Sequence, residues 1–389
     1  MFCNESSSLR SFLLGYGAGR AAGGGSYDFT TAAGIVAAIR SGNISKVPNG
    51  SIFKETHEVY GDIYFVTRAK NQHKVAGDSQ IPTITIQPLY LLSANGGTSA
   101  ATFQYDRPEA FAKVSETIPA NTVCKFTAIA YSSWTAGTYH FTATAEIPAG
   151  SRLGINAYAN TALTSCKVNV YASAKATSVS ASYDIESGDG DATVNLGTWG
   201  TDANHPQRIS YGSNNEAQSN LFQWLNSDTG NAYMDSVFEP KTDYDMMDTS
   251  FTSKKGFLGG FSDEFRSYLG LCNIPNVANS VYENGYTLAA KYTHNGYFFL
   301  PSRKEIYGSN EIAAEGDEVQ FDYYKDIGTT DHDKLMYAQN AESPTTYWLR
   351  TPFTSYASNV RICYATDGGA LTSNGATGAI SVAPLAILA

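Results

Sequence analysis

Charge is scarce in this chain. Only 16% of its 389 residues are Asp, Glu, Lys or Arg, below the quarter that is usual in soluble domains. The balance is acidic, with 26 basic against 36 acidic residues and a formal net charge of −10. No cationic excess exists to draw the chain to nucleic acid or to an anionic membrane. Long apolar runs are missing too: none reaches the ~18 residues of a spanning helix, so no membrane insertion is expected. Met1 to Arg20 has apolar pieces but no basic n-region ahead of a clean h-region, which argues against a signal peptide. Cysteine is sparse as well. Cys3, Cys124, Cys166, Cys272 and Cys363 form no CxxC and no zinc-like cluster, and read as free thiols. One long-range bridge, Cys124 to Cys166 on neighbouring strands, stays open.

Catalytic signatures are also wanting. No Gly-x-Ser-x-Gly, His-Glu-x-x-His or phosphate loop occurs, and none of the six histidines sits in a catalytic motif. Gly15-Tyr-Gly-Ala-Gly-Arg20 is similar to a dinucleotide fingerprint but lacks the strand before it. The acidic pairs Asp243 and Asp245, Asp263 and Glu264, and Glu315, Asp317 and Glu318 lie in polar stretches and read as solvated surface rather than a glycosidase pair. His332 between Asp331 and Asp333 reads as a solvent-facing loop. Ser187-Gly-Asp-Gly-Asp191 lacks the ligand spacing and closing glutamate of a calcium loop and reads as a turn. The expectation is a protein that is not an enzyme and uses no metal or cofactor.

What is present is 42% hydrophobic residues with abundant Gly (35), Tyr (26) and Phe (19). That mixture suits turn-rich β structure with uncharged polar surfaces. The chain divides into three on its patterns. Residues 1–50 read as a small helical module for attachment or oligomerisation. Thr30 or Thr31 caps a helix with Ile35, Val36 and Ile39 on one side, and Gly42 follows its last turn. So short a helix must pack on something; the sequence offers its stripe for contact between the copies of a homotrimer, or for docking on the chain's own β structure.

Residues 51–197 change to a period of two. Asp62 to Thr67, Pro82 to Gln87, Val123 to Ala130, Tyr139 to Ala145 and Arg152 to Tyr158 read as strands. Thr117-Ile-Pro-Ala-Asn121 and Glu146-Ile-Pro-Ala-Gly150 repeat one turn ahead of two of them. Short strands between such turns indicate a β-sandwich or jelly-roll domain.

Residues 198–389 mix helices with irregular chain, giving a multidomain β-rich and α+β architecture overall. Asn215 to Asn226 reads as a helix burying Leu221, Trp224 and Leu225, and Ser262 caps another running to Leu269. Ser302 to Glu305 is a capping box after the strand Tyr297 to Leu300. The apolar end, Ile380 to Leu388, needs a strand partner, and Phe298 to Leu300 is the best candidate. Between Trp348-Leu349 and that end lies a dense run of Tyr, Ser, Asn, Thr and Gly, the vocabulary of adaptable binding surfaces. A register slip of one residue there would bury Tyr364 and expose Cys363.

Several short pieces, in order, resemble one known family. They are Arg208 to Asn214 with Gln223 to Asn226, Gly256 to Gly260, Phe298 to Arg303 with Glu305, Tyr307 and Gly308, Trp348 to Arg350 with Pro352, Ser358 to Arg361, and Val382 to Pro384. Together they resemble the C-type-lectin-like domains of bacteriophage and prophage proteins, whose fold class includes formylglycine-generating enzymes and the variable proteins of diversity-generating retroelements. The resemblance implies a C-type-lectin-like α+β fold for residues 198–389. It also implies a binding face with Thr354, Tyr356, Arg361, Tyr364, Thr366, Asp367, Ser373, Asn374 and Thr377 as surface members. Cys272 and Cys363 lack the close spacing of the oxidase pair, and the calcium-site tripeptides of animal lectins are missing, so neither activity carries over. The implied protein is a virion component, a fibre or receptor-binding protein that attaches to a bacterial cell-surface protein or glycan. It would meet other virion proteins through its N-terminal region. A head-fibre or decoration protein without a dedicated receptor, or a prophage-encoded surface-displayed binding protein, are the alternatives.

Overall fold

The computed structural model describes residues 27–92, 103–104, 109–128, 135–156, 162–172, 179–199, 216, 219–227, 256–282, 285–311, 319–326, 330–353, 359–376 and 379–389. It begins with the helix Ala32–Arg40, which Thr31 caps by accepting the Gly34 N–H. Gly42, at a φ of +73° that favours glycine, follows it. Strands β1 (Ile52–His57), β2 (Gly61–Lys70), β3 (Lys74–Val75) and β4 (Ile84–Pro88) come next. β1 pairs β2 without a break, and β2 pairs β4 with an irregularity between Thr67 and Ala69.

The chain then runs through β5 (Phe103–Gln104), β6 (Glu109–Lys113), β7 (Thr122–Ala128), β8 (Gly137–Ala143), β9 (Arg152–Asn156), β10 (Lys167–Tyr171), β11 (Ala181–Asp184), β12 (Glu186–Ser187) and β13 (Val194–Trp199). Two four-stranded sheets result, β11-β10-β9-β6 and β12-β8-β7-β13. Phe126 and Phe141 from one sheet and Leu153, Ile155 and Val168 from the other share a single core. The two repeated turns meet: Ile118 and Ile147 exchange backbone hydrogen bonds at 2.9 Å in both directions. Asn121 and Gly150, at the matching position of each turn, both take positive φ. Cys124 and Cys166 are buried free thiols, so the bridge left open by the sequence is not formed.

The remainder supplies the helix Asn220–Asn226, a 3-10 turn Leu258–Gly260, the helix Asp263–Arg266, β14 (Leu269–Gly270), β15 (Cys272–Tyr282), β16 (Gly285–Gly296) and β17 (Phe298–Phe299). The helices Arg303–Tyr307 and Asp322–Asp326 follow, then β18 (Met336–Tyr337), β19 (Pro344–Thr345), β20 (Tyr347–Pro352), β21 (Asn359–Tyr364), β22 (Ala370–Gly375), β23 (Ala379–Ile380) and β24 (Leu385–Leu388). Ser219 caps the first of these helices and Ser262 the second, which ends at Arg266 rather than Leu269 because Leu269 turns into β14.

The closing strand organises the molecule. β24 lies inside a sheet of order β1-β2-β4-β24-β14 and also pairs β17, through Phe298 opposite Ala386. Both its faces are covered: Ala386 and Leu388 enter one core, Leu385 and Ile387 another. A strand buried on both sides reads as a continuous apolar run, which is what the sequence carries.

Two expectations about the division of the chain are corrected here. The helix Ala32–Arg40 is not part of a separate module of residues 1–50. Ile35, Val36 and Ile39 share a core with Phe53, Phe65, Trp224 and Leu388 of the same chain, so the stripe offered for trimer contact is already covered. Likewise β1, β2 and β4 do not belong with the two-sheet unit that follows them, although the shared period of two groups residues 51–197 as one domain. They pair, directly or through one another, with β24. A period of two identifies a strand and says nothing about which sheet it joins.

Candidate functional site

The face carrying the tyrosine- and serine-rich tract is a three-stranded sheet, β20-β21-β22, with β20 as its foundation. Every residue of β20 is buried. Trp348 enters one core while Tyr347 and Leu349 enter the other. That leaves Arg350 with a charge to satisfy in the interior. Its guanidinium reaches Glu305, with Nη1 to Oε2 and Nη2 to Oε1 both at 2.7 Å, and Nη1 also donates to the Leu300 carbonyl at 2.7 Å.

Glu305 is placed by its own local sequence. In the capping box Ser302 accepts the Glu305 N–H, and Glu305 Oε2 accepts the Ser302 N–H at 2.8 Å. His73, from the loop between β2 and β3, adds a contact from Nε2 to Oε1 at 2.7 Å. Burial alone would push the Glu305 carboxyl up, but the Arg350 guanidinium and His73 beside it hold it well below the ordinary carboxylate range. A buried pair of this kind fixes geometry; removing one partner strands the other, at a cost of about 3–5 kcal/mol.

A second ionic group lies nearer solvent. Glu311 accepts two bonds from Arg361, Nε to Oε2 and Nη2 to Oε1, each 2.7 Å. Arg303 Nη1 reaches the same carboxylate. The Arg361 guanidinium lies over the Phe353 ring, 4.4 Å from its centroid. Burial pushes the Glu311 carboxyl up, and the two arginines more than reverse it, so the group stays ionised.

The hairpin itself is tied from beneath. Cys363 is buried and Tyr364 is 38% exposed, so the register is the one that keeps the tyrosine out. The Tyr307 hydroxyl donates to the Gly369 carbonyl at 2.6 Å, and the Tyr347 hydroxyl to the Lys334 carbonyl at 3.0 Å. Gly369 has a φ of +89°, and a Cβ there would lie 2.0 Å from the Asp331 carbonyl oxygen. Burial raises the thiol of Cys363 above its usual range, which makes it a packing group rather than a nucleophile.

Of the residues expected on this face, Tyr364, Asp367 and Asn374 are exposed and Ser373 is half-buried, directly opposite Arg361 in the β21–β22 register. Thr366 lies in the 3-10 turn Ala365–Asp367. Thr354, Tyr356 and Thr377 lie outside the described residues. Arg361 is less free than expected, because Glu311 holds it. Glu311 carries no sequence signal, standing in irregular chain, and Arg303 stood only as part of the resemblance. Of the other acidic candidates, Asp331 pairs with Lys334 at 3.0 Å, Asp333 accepts from the Thr330 hydroxyl, Glu264 accepts from Tyr268 and Asp263 pairs with Arg266, while Asp243, Asp245, Glu315, Asp317 and Glu318 lie outside the described residues. Among the described residues no group of three or more His, Cys, Asp or Glu is placed to hold a metal.

These features define a class first: a multidomain mixed α/β protein with several β-sheets and a few helices, presenting a polar hairpin on a buried ionic foundation. The family described as "Domain of unknown function (DUF6273)" matches residues 193–389, half of the chain, and the chain belongs to that family. No curated protein and no solved structure matches it.

Proposed function

We propose that this chain is a phage virion protein of the fibre or receptor-binding type, and that its C-terminal part is a C-type-lectin-like domain binding a bacterial surface ligand through β21 and β22. The observation that carries this reading is the contrast within one small sheet. β20 is buried along its whole length and locked by Arg350 and Glu305, while the hairpin beyond it turns Tyr364, Asp367 and Asn374 to solvent. Recognition sites work best when a rigid base presents adaptable polar and aromatic side chains, since little ordering remains to be done on binding. The resemblance of the chain to phage lectin-like domains supplies the setting, a virion, where many copies multiply a weak contact. The protein binds rather than catalyses on this reading.

The test is attachment. Purified full-length protein, fluorescently labelled, should bind cells of the host strain saturably, and Tyr364→Ala should weaken that binding without changing the melting temperature. Finding the chain absent from purified particles, with no binding to any host surface, would overturn the proposal.

A further inference from the structure

We propose that Arg303 and Arg361, held together by Glu311, form a preorganised subsite for an oxyanion, a carboxylate or phosphate group carried by the ligand. The inference rests on the binding role proposed for the β21–β22 hairpin and names the chemistry of its Arg361 and Ser373 side, the side opposite Tyr364 and Asn374.

The argument begins with charge. Among the described residues two guanidinium groups converge on one carboxylate, which leaves a positive charge over at this spot on a chain whose formal net charge is −10. A local cation on an acidic protein is a selective feature rather than part of a general basic coat.

The donors come next. Arg361 spends Nε and Nη2 on Glu311, and Arg303 spends Nε on Ser309 and Nη1 on Glu311. Among the described residues Nη1 of Arg361 and Nη2 of Arg303 make no hydrogen bond. Their side chains keep 16% and 21% exposure, so neither guanidinium is sealed in the interior.

The third element is rigidity. Arg361 is clamped from one side by two bonds to Glu311 and rests on Phe353. Arg303 opens the helix whose start is fixed by the capping box, and its backbone N–H donates to Thr351 Oγ1 at 2.9 Å. Guanidinium forks already held in place lose little freedom when an oxyanion arrives. Ser373, opposite Arg361, and Ser309, bonded to Arg303, add neutral hydroxyls at the same rim.

The alternative is an ion cluster that only ties residues 303–311 to β21, and the two separate on ligand response. The probe is the full-length protein with labelled arginine side chains, titrated in NMR with sodium glucuronate, with inorganic phosphate, and with glucose and sodium chloride as controls. The Nε–H signals of Arg303 and Arg361 should shift saturably with glucuronate or phosphate and not with glucose. Response to glucuronate assigns the group to an acidic sugar; response to phosphate alone assigns it to a phosphorylated one. Arg361→Lys keeps the charge but loses the fork, and should bind about tenfold more weakly. If that variant does not fold, the wild-type titration decides by itself. No saturable shift, or a shift that chloride reproduces, overturns the subsite. Should that happen while Tyr364→Ala still weakens cell attachment, the binding role of the face survives without it. Saturable anion binding with no effect of any face variant on attachment would instead keep the subsite and sink the attachment reading.

Discussion

Ile86 on β4 stands directly opposite Ala386 on β24, joining two segments from almost opposite ends of the sequence in one antiparallel pair. On its other side Ala386 faces Phe298 of β17. The C-terminal family region therefore does not complete its own sheet. Residues 27–92 supply the helix and three strands that close it, and the two-sheet unit with its separate core is carried between the two parts.

The first consequence is for truncated chains. A protein of residues 193–389 lacks β1, β2 and β4, and leaves Ala386, Ile387 and Leu388 without the ladder they make to β4. It should show no cooperative melt. Residues 27–92 joined by a flexible linker to 216–389 should show one, because every described member of the two cores on either side of β24 is then present. Deleting the last eight residues of the full chain should abolish that transition while leaving the two-sheet unit folded, as read by the near-ultraviolet signal of its tyrosines.

The buried ion pair gives a second expectation. Glu305→Ala or Arg350→Ala leaves one charge unpaired in the interior and should cost about 3–5 kcal/mol. A paired replacement, Glu305→Leu with Arg350→Met, should recover much of that loss. Denaturant melts of the three variants check it. A loss in the double variant as large as the two single losses added together would mean that the pair is not coupled.

His57 sets an acid limit. Its Nδ1 accepts the N–H groups of Val59 and Tyr60, and its Nε2 lies 2.9 Å from the Phe257 carbonyl, an arrangement that holds the ring neutral. Burial lowers its pKa to about 4 from the usual 6.5. The folded state thus resists the proton that the unfolded chain accepts. The contribution of His57 is full above pH ~6.5 and falls away as pH drops to about 4, a loss of roughly 3 kcal/mol. Melting temperature measured from pH 7 to pH 4 should decline over this window, and His57→Gln should flatten the decline. The site is also tightly packed: a Cβ on Gly260 would lie 2.1 Å from the ring, so Gly260→Ala should cost about 1–3 kcal/mol.

At Glu55 the pH effect has the opposite sign. Burial, helped by the charge of Glu264, raises its carboxyl to about 7. The protonated form is favoured in the folded state, so stability is full below pH ~4.5 and is lost as pH rises to about 7. Glu55→Gln should raise the melting temperature at pH 8 and leave it unchanged at pH 4. The side chain is half-buried, so solvent screening keeps the gain small.

On the binding face the variants divide by burial. Tyr364→Ala removes a solvent-facing ring and should change stability by less than about 0.5 kcal/mol while weakening attachment by roughly 1–3 kcal/mol. Trp348→Ala opens a cavity in the core and should cost about 3–5 kcal/mol. Thermal melts beside a cell-binding assay separate the two.

How much of this was legible follows from what each signal encodes. Caps are local, so Thr31, Ser262 and the Ser302–Glu305 box were readable and stand where expected. The partnership of Phe298 with the closing strand was readable because two apolar runs without polar alternation need buried neighbours. The membership of β1, β2 and β4 was not, because alternation gives a strand its face and not its sheet. The resemblance places Arg361 on the surface and says nothing of what holds it. Its tether, Glu311, lies fifty positions away in irregular chain, where no period exists to point from one to the other.

Native-state hydrogen exchange on the intact protein tests the shared sheet most directly. The amides of Thr85 and Ile86 on β4 and of Ala386 and Ile387 on β24 should exchange together, in one protection class, distinct from Cys124, Phe126 and Phe141 of the two-sheet unit. If the β4 amides instead exchange with those of the two-sheet unit, while β24 keeps its own slower rate, then residues 27–92 do not complete the C-terminal domain and the account fails.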